Sequence, residues 1–186
     1  MKLHTYWRSA TSHRARIGLN LKGVAYHSEP VNLAKDERLH PSFAEISPGR
    51  SVPALVPAEG VILTQSMAIL DWLDETYPDP LLLPGDPITR AHIRAAAQTL
   101  ASDIHPLNNR RVILKLKAMG QSQDNILDWI HNWTIRGFSA FEHLIAPDTA
   151  YAFGDTPGLA DICLIPQLYN AKRRGSDLSR FARLTH

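Results

Sequence analysis

A mixed α/β module followed by an all-helical one is the fold class this sequence predicts. Three observations carry that reading. Strand and helix signals alternate through the first 77 residues. Prolines then cluster at Pro78, Pro80, Pro84 and Pro87 with Gly85 among them, a linker composition. Beyond that cluster strand signals nearly vanish, and apolar residues recur at helical spacing.

Leu3 to Trp7 is the first strand candidate. Ser12 is placed to cap the helix that follows, in which Ile17, Leu19 and Leu21 mix with Arg14, Arg16 and Lys22 before Gly23 ends it. Tyr26 to Val31 reads as a second strand, and residues 32–50 as polar and irregular with at most a short helix. Pro53 to Val56 and Val61 to Leu63 form a plausible hairpin across Ala58-Glu59-Gly60. A helix over Gln65–Tyr77 puts Ile69, Leu70, Leu73 and Tyr77 on one face. This β-α-β, β-β-α order suggests a four-stranded mixed sheet with helices laid on it. In the second half, Ile93, Ala97, Leu100 and Ile104 share one helical face. A second stretch carries Ile126, Trp129, Ile130, Trp133, Phe138, Phe141 and Leu144, and a third Leu159, Ile162, Cys163 and Pro166. The expected domains are 1–80, a proline-rich linker over 81–87, and a helical domain over 88–186, with a ligand cleft between the two modules.

Bulk properties exclude several classes. Twenty Lys and Arg against 18 Asp and Glu leave no basic footprint for nucleic acid. The apolar runs are too short for a membrane span, and Met1-Lys2-Leu3-His4-Thr5-Tyr6 lacks the apolar core of a signal peptide. A single cysteine, Cys163, forbids an internal disulfide and fits a reducing cytoplasm; on an apolar helical face it reads as an inert core thiol. The histidines show no metal-ligand spacing, so no metal site is expected.

The most informative pair is Gln65-Ser66, which follows an apolar run and opens a helix. Backbone N–H groups and the helix dipole there attract a carboxylate, and serine capping uses the same geometry. Just upstream, a Val52-Pro53 step before a strand can mark a cis bond that exposes a backbone edge. Together they describe a pocket for a small peptide-like acid.

Across almost its whole length the chain resembles the glutathione transferases, and most the zeta class of maleylacetoacetate and maleylpyruvate isomerases. The supporting segments are Tyr6-Trp7-Arg8-Ser9, Arg14-Ala15-Arg16-Ile17, Leu21-Lys22-Gly23, Val52-Pro53, Gln65-Ser66-Met67-Ala68-Ile69, Leu82-Leu83-Pro84, Ile104-His105-Pro106-Leu107-Asn108-Asn109 and Ala160-Asp161-Ile162-Cys163-Leu164-Ile165-Pro166-Gln167. The resemblance implies a thioredoxin-like domain followed by a helical bundle, glutathione as cofactor, and a homodimer. It also implies a terminal helix beyond Asp177-Leu178, whereas this sequence ends at His186.

Residue by residue, the resemblance makes Ser9 the hydroxyl that hydrogen-bonds the glutathione sulfur, with Arg8 beside it. Moving a thiol from about 8.5 to near 7 requires about 2 kcal/mol of differential stabilisation, which a hydroxyl, a helix N-terminus and a cation can supply together. Ala10 and Thr11 depart from the family's Ser-Ser-Cys pattern, and the missing cysteine removes a mixed-disulfide role. Ser66 and Gln65 are implied to hold the γ-glutamyl end and the Val52 backbone, followed by Pro53, the cysteinyl part. His105 is implied to line the glutathione cleft. Arg50 stands where a contact with the glycine end, or a solvated loop charge, is equally consistent. A diacid substrate calls for arginines, and Arg8, Arg111 and Arg173 stand at family positions near Asn109 and its neighbours. Arg110 and Arg174 stand where the family has apolar residues. Asp161 belongs to a helix-start motif in which Gly158 replaces the usual Ser or Thr cap.

The expected activity is glutathione-dependent cis–trans isomerisation of a maleyl-type keto acid: thiolate addition to the double bond, rotation, and elimination. The alternatives are a zeta-like transferase acting on α-haloacids or other electrophiles, and a glutathione-binding module with little turnover.

Overall fold

The computed structural model describes residues 1–185. They form two compact units, divided between Leu82 and Leu83.

In the first unit, β1 (Lys2–Thr5), β2 (His27–Pro30), β3 (Ala54–Val56) and β4 (Leu63–Thr64) make one sheet in the order β2-β1-β3-β4. The β1–β2 pair is parallel, with Leu3 opposite Ser28; β1–β3 and β3–β4 are antiparallel, with Leu3 opposite Leu55 and Leu55 opposite Leu63. Each strand is shorter than the sequence signal by one or more residues, because the apolar signal runs on into loops. Trp7 is the clearest case: it lies beyond β1 and is 67% exposed.

Helix α1 (Ala10–Leu21) returns the chain from β1 to β2, and α3 (Ser66–Thr76) follows β4. They meet at Gly18, where a Cβ would lie 2.3 Å from Leu70 Cδ2, so only glycine allows this approach. Ile69, Leu70 and Leu73 are buried as the helical spacing requires, while Tyr77 is half-buried and caps the C-terminus of α3. Between β2 and β3 the irregular stretch contains two 3-10 turns, Leu33–Lys35 and Glu37–Leu39, and the short helix α2 (Pro41–Ile46). Phe43 anchors α2 in a small core with Val31 and Val52.

Lys22 fastens this unit's end. Its ammonium is fully buried, reaches the Asp74 carboxylate at 2.7 Å and donates to the Pro80 carbonyl. The same Asp74 oxygen accepts the Leu82 N–H at 2.7 Å. Within the proline-rich stretch Leu82 and Leu83 are buried, whereas Pro78, Pro80, Gly85 and Pro87 are exposed.

The second unit is helical: α4 (Pro87–Gln98), α5 (Arg110–Ala118), α6 (Gln123–Leu144), α7 (Leu159–Arg173) and α8 (Ala182–Thr185). Asp86 caps α4 by accepting the Ile88 and Thr89 N–H groups at 2.8 and 3.0 Å, with Pro87 at the first helical position. The face bearing Ile93, Ala97, Leu100 and Ile104 is buried throughout, yet α4 does not run straight to its end. Residues Thr99–Ile104 widen into a π-helical segment, which no apolar periodicity signalled. Gly137 of α6 admits this segment, since a Cβ there would sit 2.2 Å from Ile104 Cγ1. Cys163 is fully buried on α7. No helix among the described residues is long and apolar enough to cross a membrane.

Candidate functional site

The sequence put the start of the first helix at Ser12; the structure moves it to Ser9. Ser9 has extended backbone and its Oγ accepts the Ser12 N–H at 3.2 Å, so Ser9 is the N-cap of α1. Ser12 lies inside the first turn, fully buried, and its Oγ accepts the Tyr6 N–H at 3.3 Å. In this cap the Ser9 oxygen accepts, which leaves its proton for another partner.

Ser9 is joined to Val52 through a residue the sequence reading had noted only as a departure. Ser9 Oγ and Thr11 Oγ1 are 2.8 Å apart, and Thr11 Oγ1 donates to the Val52 carbonyl at 2.8 Å. The Val52–Pro53 bond is cis, as the step suggested. The first-helix serine and the backbone edge before Pro53 are thus parts of one hydrogen-bonded assembly.

Arg8 does not join that assembly. Its guanidinium lies over the exposed Trp7 ring, 5.3 Å from the centroid, and no hydrogen bond ties it to Ser9 among the described residues. The cation that shapes the loop is Arg16, which sequence reasoning passed over as one charge on a helix. Arg16 Nη1 donates to Thr5 Oγ1 at 2.8 Å and to the Tyr6 carbonyl at 3.3 Å, and Nη2 to the Trp7 carbonyl at 3.2 Å. It thereby holds the turn that delivers Ser9. Burial lowers the Arg16 pKa, with a partial offset from Tyr26. Burial also lowers that of His13 on the same helix, and Arg16 adds to the effect. His13, one turn into α1, could have been noticed from its spacing to Arg16 alone.

Gln65 and Ser66 open α3. Gln65 has φ +67°, a left-handed value rare for a residue with a side chain, and makes no side-chain capping bond. The caps of α1, α4, α5 and α6 all receive one from Ser9, Asp86, Asn109 and Ser122. Ser66, the first residue of α3, is 3% exposed. A strained backbone and a serine at a helix N-terminus that lacks a side-chain cap suit a carboxylate ligand. Arg50 also has positive φ, at 47°, and its Nη1 donates to the Leu39 carbonyl at 3.4 Å, so it is a loop contact rather than a bare solvated charge.

In the second unit, His105 and Asn109 come together. His105 follows the π segment and its Nε2 is 3.4 Å from Asn109 Nδ2. Asn109 caps α5 through the Arg111 N–H at 3.1 Å. This turn is clamped to α6: Trp129 Nε1 donates to the Leu107 carbonyl at 3.0 Å, and Asn108 Nδ2 to Thr134 Oγ1 at 3.2 Å. Arg110 and Arg111 are exposed at the start of α5. Arg173 is exposed on α7, with Nη2 3.4 Å from Asn170 Oδ1. Arg174 is half-buried at the C-cap of α7, where its carbonyl meets His131 Nε2 at 2.9 Å, so it ends the helix without breaking a core. No cluster of metal-ligating side chains occurs among the described residues.

Comparison with known proteins places this arrangement. The family model "Glutathione S-transferase, N-terminal domain" matches residues 8–76, and "Glutathione S-transferase, C-terminal domain" matches residues 134–185. The chain is 46% identical to the maleylacetoacetate isomerase of Pseudomonas aeruginosa, over 99% of this chain and 87% of that protein. A holo structure of maleylpyruvate isomerase, a bacterial glutathione S-transferase of zeta class, superposes with a TM-score of 0.95 at 46% identity, covering 99% of this chain and 88% of that one. The maleylacetoacetate isomerase of Methylobacterium extorquens AM1, with malonate and glutathione bound, gives 0.93 at 36% identity over 99% and 88%. A thioredoxin-like sheet module followed by a helical module, with these matches spanning both, is the glutathione S-transferase fold. The chain belongs to the glutathione S-transferase family, in its zeta-class branch of maleylacetoacetate and maleylpyruvate isomerases.

Proposed function

We propose that this protein is a glutathione-dependent isomerase that converts a maleyl-type keto acid, maleylacetoacetate or maleylpyruvate, into its trans isomer. The observation that carries the reading is the hydrogen-bonded assembly of Ser9 at the α1 N-terminus with the Val52 carbonyl before a cis proline. It sits in the unit matched to the glutathione S-transferase N-terminal domain.

The residues present fit glutathione. Ser66 and Gln65, at the uncapped start of α3, suit the γ-glutamyl carboxylate; Val52 offers its backbone to the cysteinyl part; Ser9 offers a hydroxyl to the sulfur. Bound glutathione supplies a thiolate whose reversible addition to a conjugated double bond permits rotation. Ser9 and the α1 dipole stabilise negative charge on that sulfur. We assign His105 to the glutathione site and Arg8, Asn109, Arg111 and Arg173 to the carboxylates of the second substrate. A related isomerase holding malonate with glutathione supports a dicarboxylate partner. The Arg8 guanidinium lies over the Trp7 ring, so it must swing off that ring to meet a carboxylate.

The test is spectroscopic. Protein, glutathione and either maleyl substrate should give isomerisation well above glutathione alone, and Ser9→Ala should lower kcat/KM by about 100-fold. Equal rates with and without protein would remove the isomerase. Turnover confined to α-haloacids would move the assignment to the transferase alternative. The proposal extends to a homodimer acting in the cytoplasm; light scattering that gave the 20.8 kDa mass of one chain would remove the dimer.

A further inference from the structure

We infer that Thr11 is a positioning residue that couples docking of the peptide backbone at Val52 to activation of the thiol at Ser9. The inference rests on the glutathione reading above. A hydroxyl carries one proton and two acceptor sites. The Thr11 proton is committed to the Val52 carbonyl, which can only accept, at 2.8 Å. In the 2.8 Å pair between Ser9 and Thr11, Ser9 is therefore the donor. Ser9 Oγ meanwhile accepts the Ser12 N–H at 3.2 Å. Without ligand, the one proton Ser9 has to offer is turned inward, along Ser9 to Thr11 to Val52.

Both hydroxyls turn about their C–O bonds, so the direction of the chain can reverse. A peptide N–H that binds the Val52 carbonyl competes with Thr11 for its acceptor strength and weakens the Thr11 bond, so that Thr11 turns to donate to Ser9 Oγ and the Ser9 proton turns outward to the sulfur. In the reversal itself no covalent bond forms or breaks; the thiol gives up its own proton to solvent water, and the turned Ser9 hydroxyl stabilises the thiolate that is left. Two O–H vectors invert, and a chain that ended on a neutral carbonyl ends on a thiolate. Each donor then polarises the next, which strengthens the charge-assisted bond at the sulfur. Backbone recognition and thiol activation become one event at a residue where a side chain without a hydroxyl could not link them.

The experiment titrates the ultraviolet thiolate absorbance of protein-bound glutathione in the wild type, Thr11→Val, Thr11→Ser, Thr11→Ala and Ser9→Ala. Thr11→Val and Thr11→Ala should both raise the bound thiol's pKa, giving about threefold less thiolate at a given pH, and Thr11→Ser should restore the wild-type titration. Melting temperatures check that each variant is folded, and the smaller Thr11→Ala serves if valine does not fit. Glutathione methylated on the amide nitrogen of its thiol residue cannot take the Val52 carbonyl. With it the wild type should show the raised value too, and Thr11→Val no further change. An unchanged titration in Thr11→Val overturns the coupling. A lowered one overturns it as well, since it would mean that Thr11 merely withholds the Ser9 proton. Should Ser9→Ala also titrate like the wild type, or the wild type fail to bind glutathione, the underlying glutathione reading fails instead.

Discussion

Single residues decide how the helices of this protein begin. Ser9, Asn109 and Ser122 each hold a free backbone N–H with a side-chain oxygen, and Asp161 does the complementary job on α7. Asp161 Oδ2 accepts the Gly158 N–H at 2.9 Å and Oδ1 the Ala152 N–H at 2.9 Å. Gly158 has no side chain to return the bond, so half of the capping box is missing. Its φ of −125° is extended backbone open to any residue. Gly158→Thr should therefore stabilise by a few tenths of a kcal/mol and raise Tm by about 1 °C. A calorimetric scan showing no rise or a fall would count against this account. The cap was legible because a glycine stood where a hydroxyl belongs. The Ser9 to Thr11 contact was not, because two hydroxyls two residues apart suggest turn and cap chemistry, not a chain to residue 52.

Elements were easier to read than their ends. The sheet and its two helices followed from short apolar runs, and α6 from aromatic and aliphatic residues at helical spacing. The sequence reading missed α5 altogether, since Arg110, Arg111, Lys115 and Lys117 interrupt its apolar residues and Arg111 was read as a substrate contact rather than as part of a helix. It also missed the π segment, whose cause is a tertiary one: Ile104 fitted against Gly137. Composition marked the proline-rich stretch but not what ties its start down: Lys22 pulls Asp74 and the Pro80 carbonyl together, and Asp74 holds Leu82. This tie joins the end of α1, the body of α3 and the segment beyond it. Removing the cation leaves a mostly buried carboxylate without its partner. Lys22→Met should accordingly cost about 3 kcal/mol of stability, measured by denaturant unfolding. A loss below about 0.5 kcal/mol would mean that the pair behaves as a surface ion pair.

At the scale of the whole molecule, two compact units carry different acid sensitivities. In the first, burial lowers the pKa of His4, against a partial offset from Glu29 and with help from Lys2, and burial together with Arg16 lowers that of His13. Both histidines are neutral when folded and gain protons more readily when unfolded. Their contribution is complete above the ordinary value of about 6.5 and declines as pH falls through it toward the lower folded values. In the second unit, backbone N–H groups of Thr89 and Ile88 hold the Asp86 carboxyl below its usual range, and that of Ser179 does so for Asp177. That support persists until pH falls below about 4 and is lost through the depressed values. Amide exchange followed against pH should show the first unit loosening near pH 6 while the second holds, and His13→Gln should flatten the first step. Simultaneous loosening of both units would contradict this division.

Arg16 grips main-chain oxygens of Tyr6 and Trp7, not their rings. The bend before Ser9 is thus specified by carbonyl positions that every amino acid possesses. Side chains at positions 6 and 7 can therefore vary while Ser9 stays where it is.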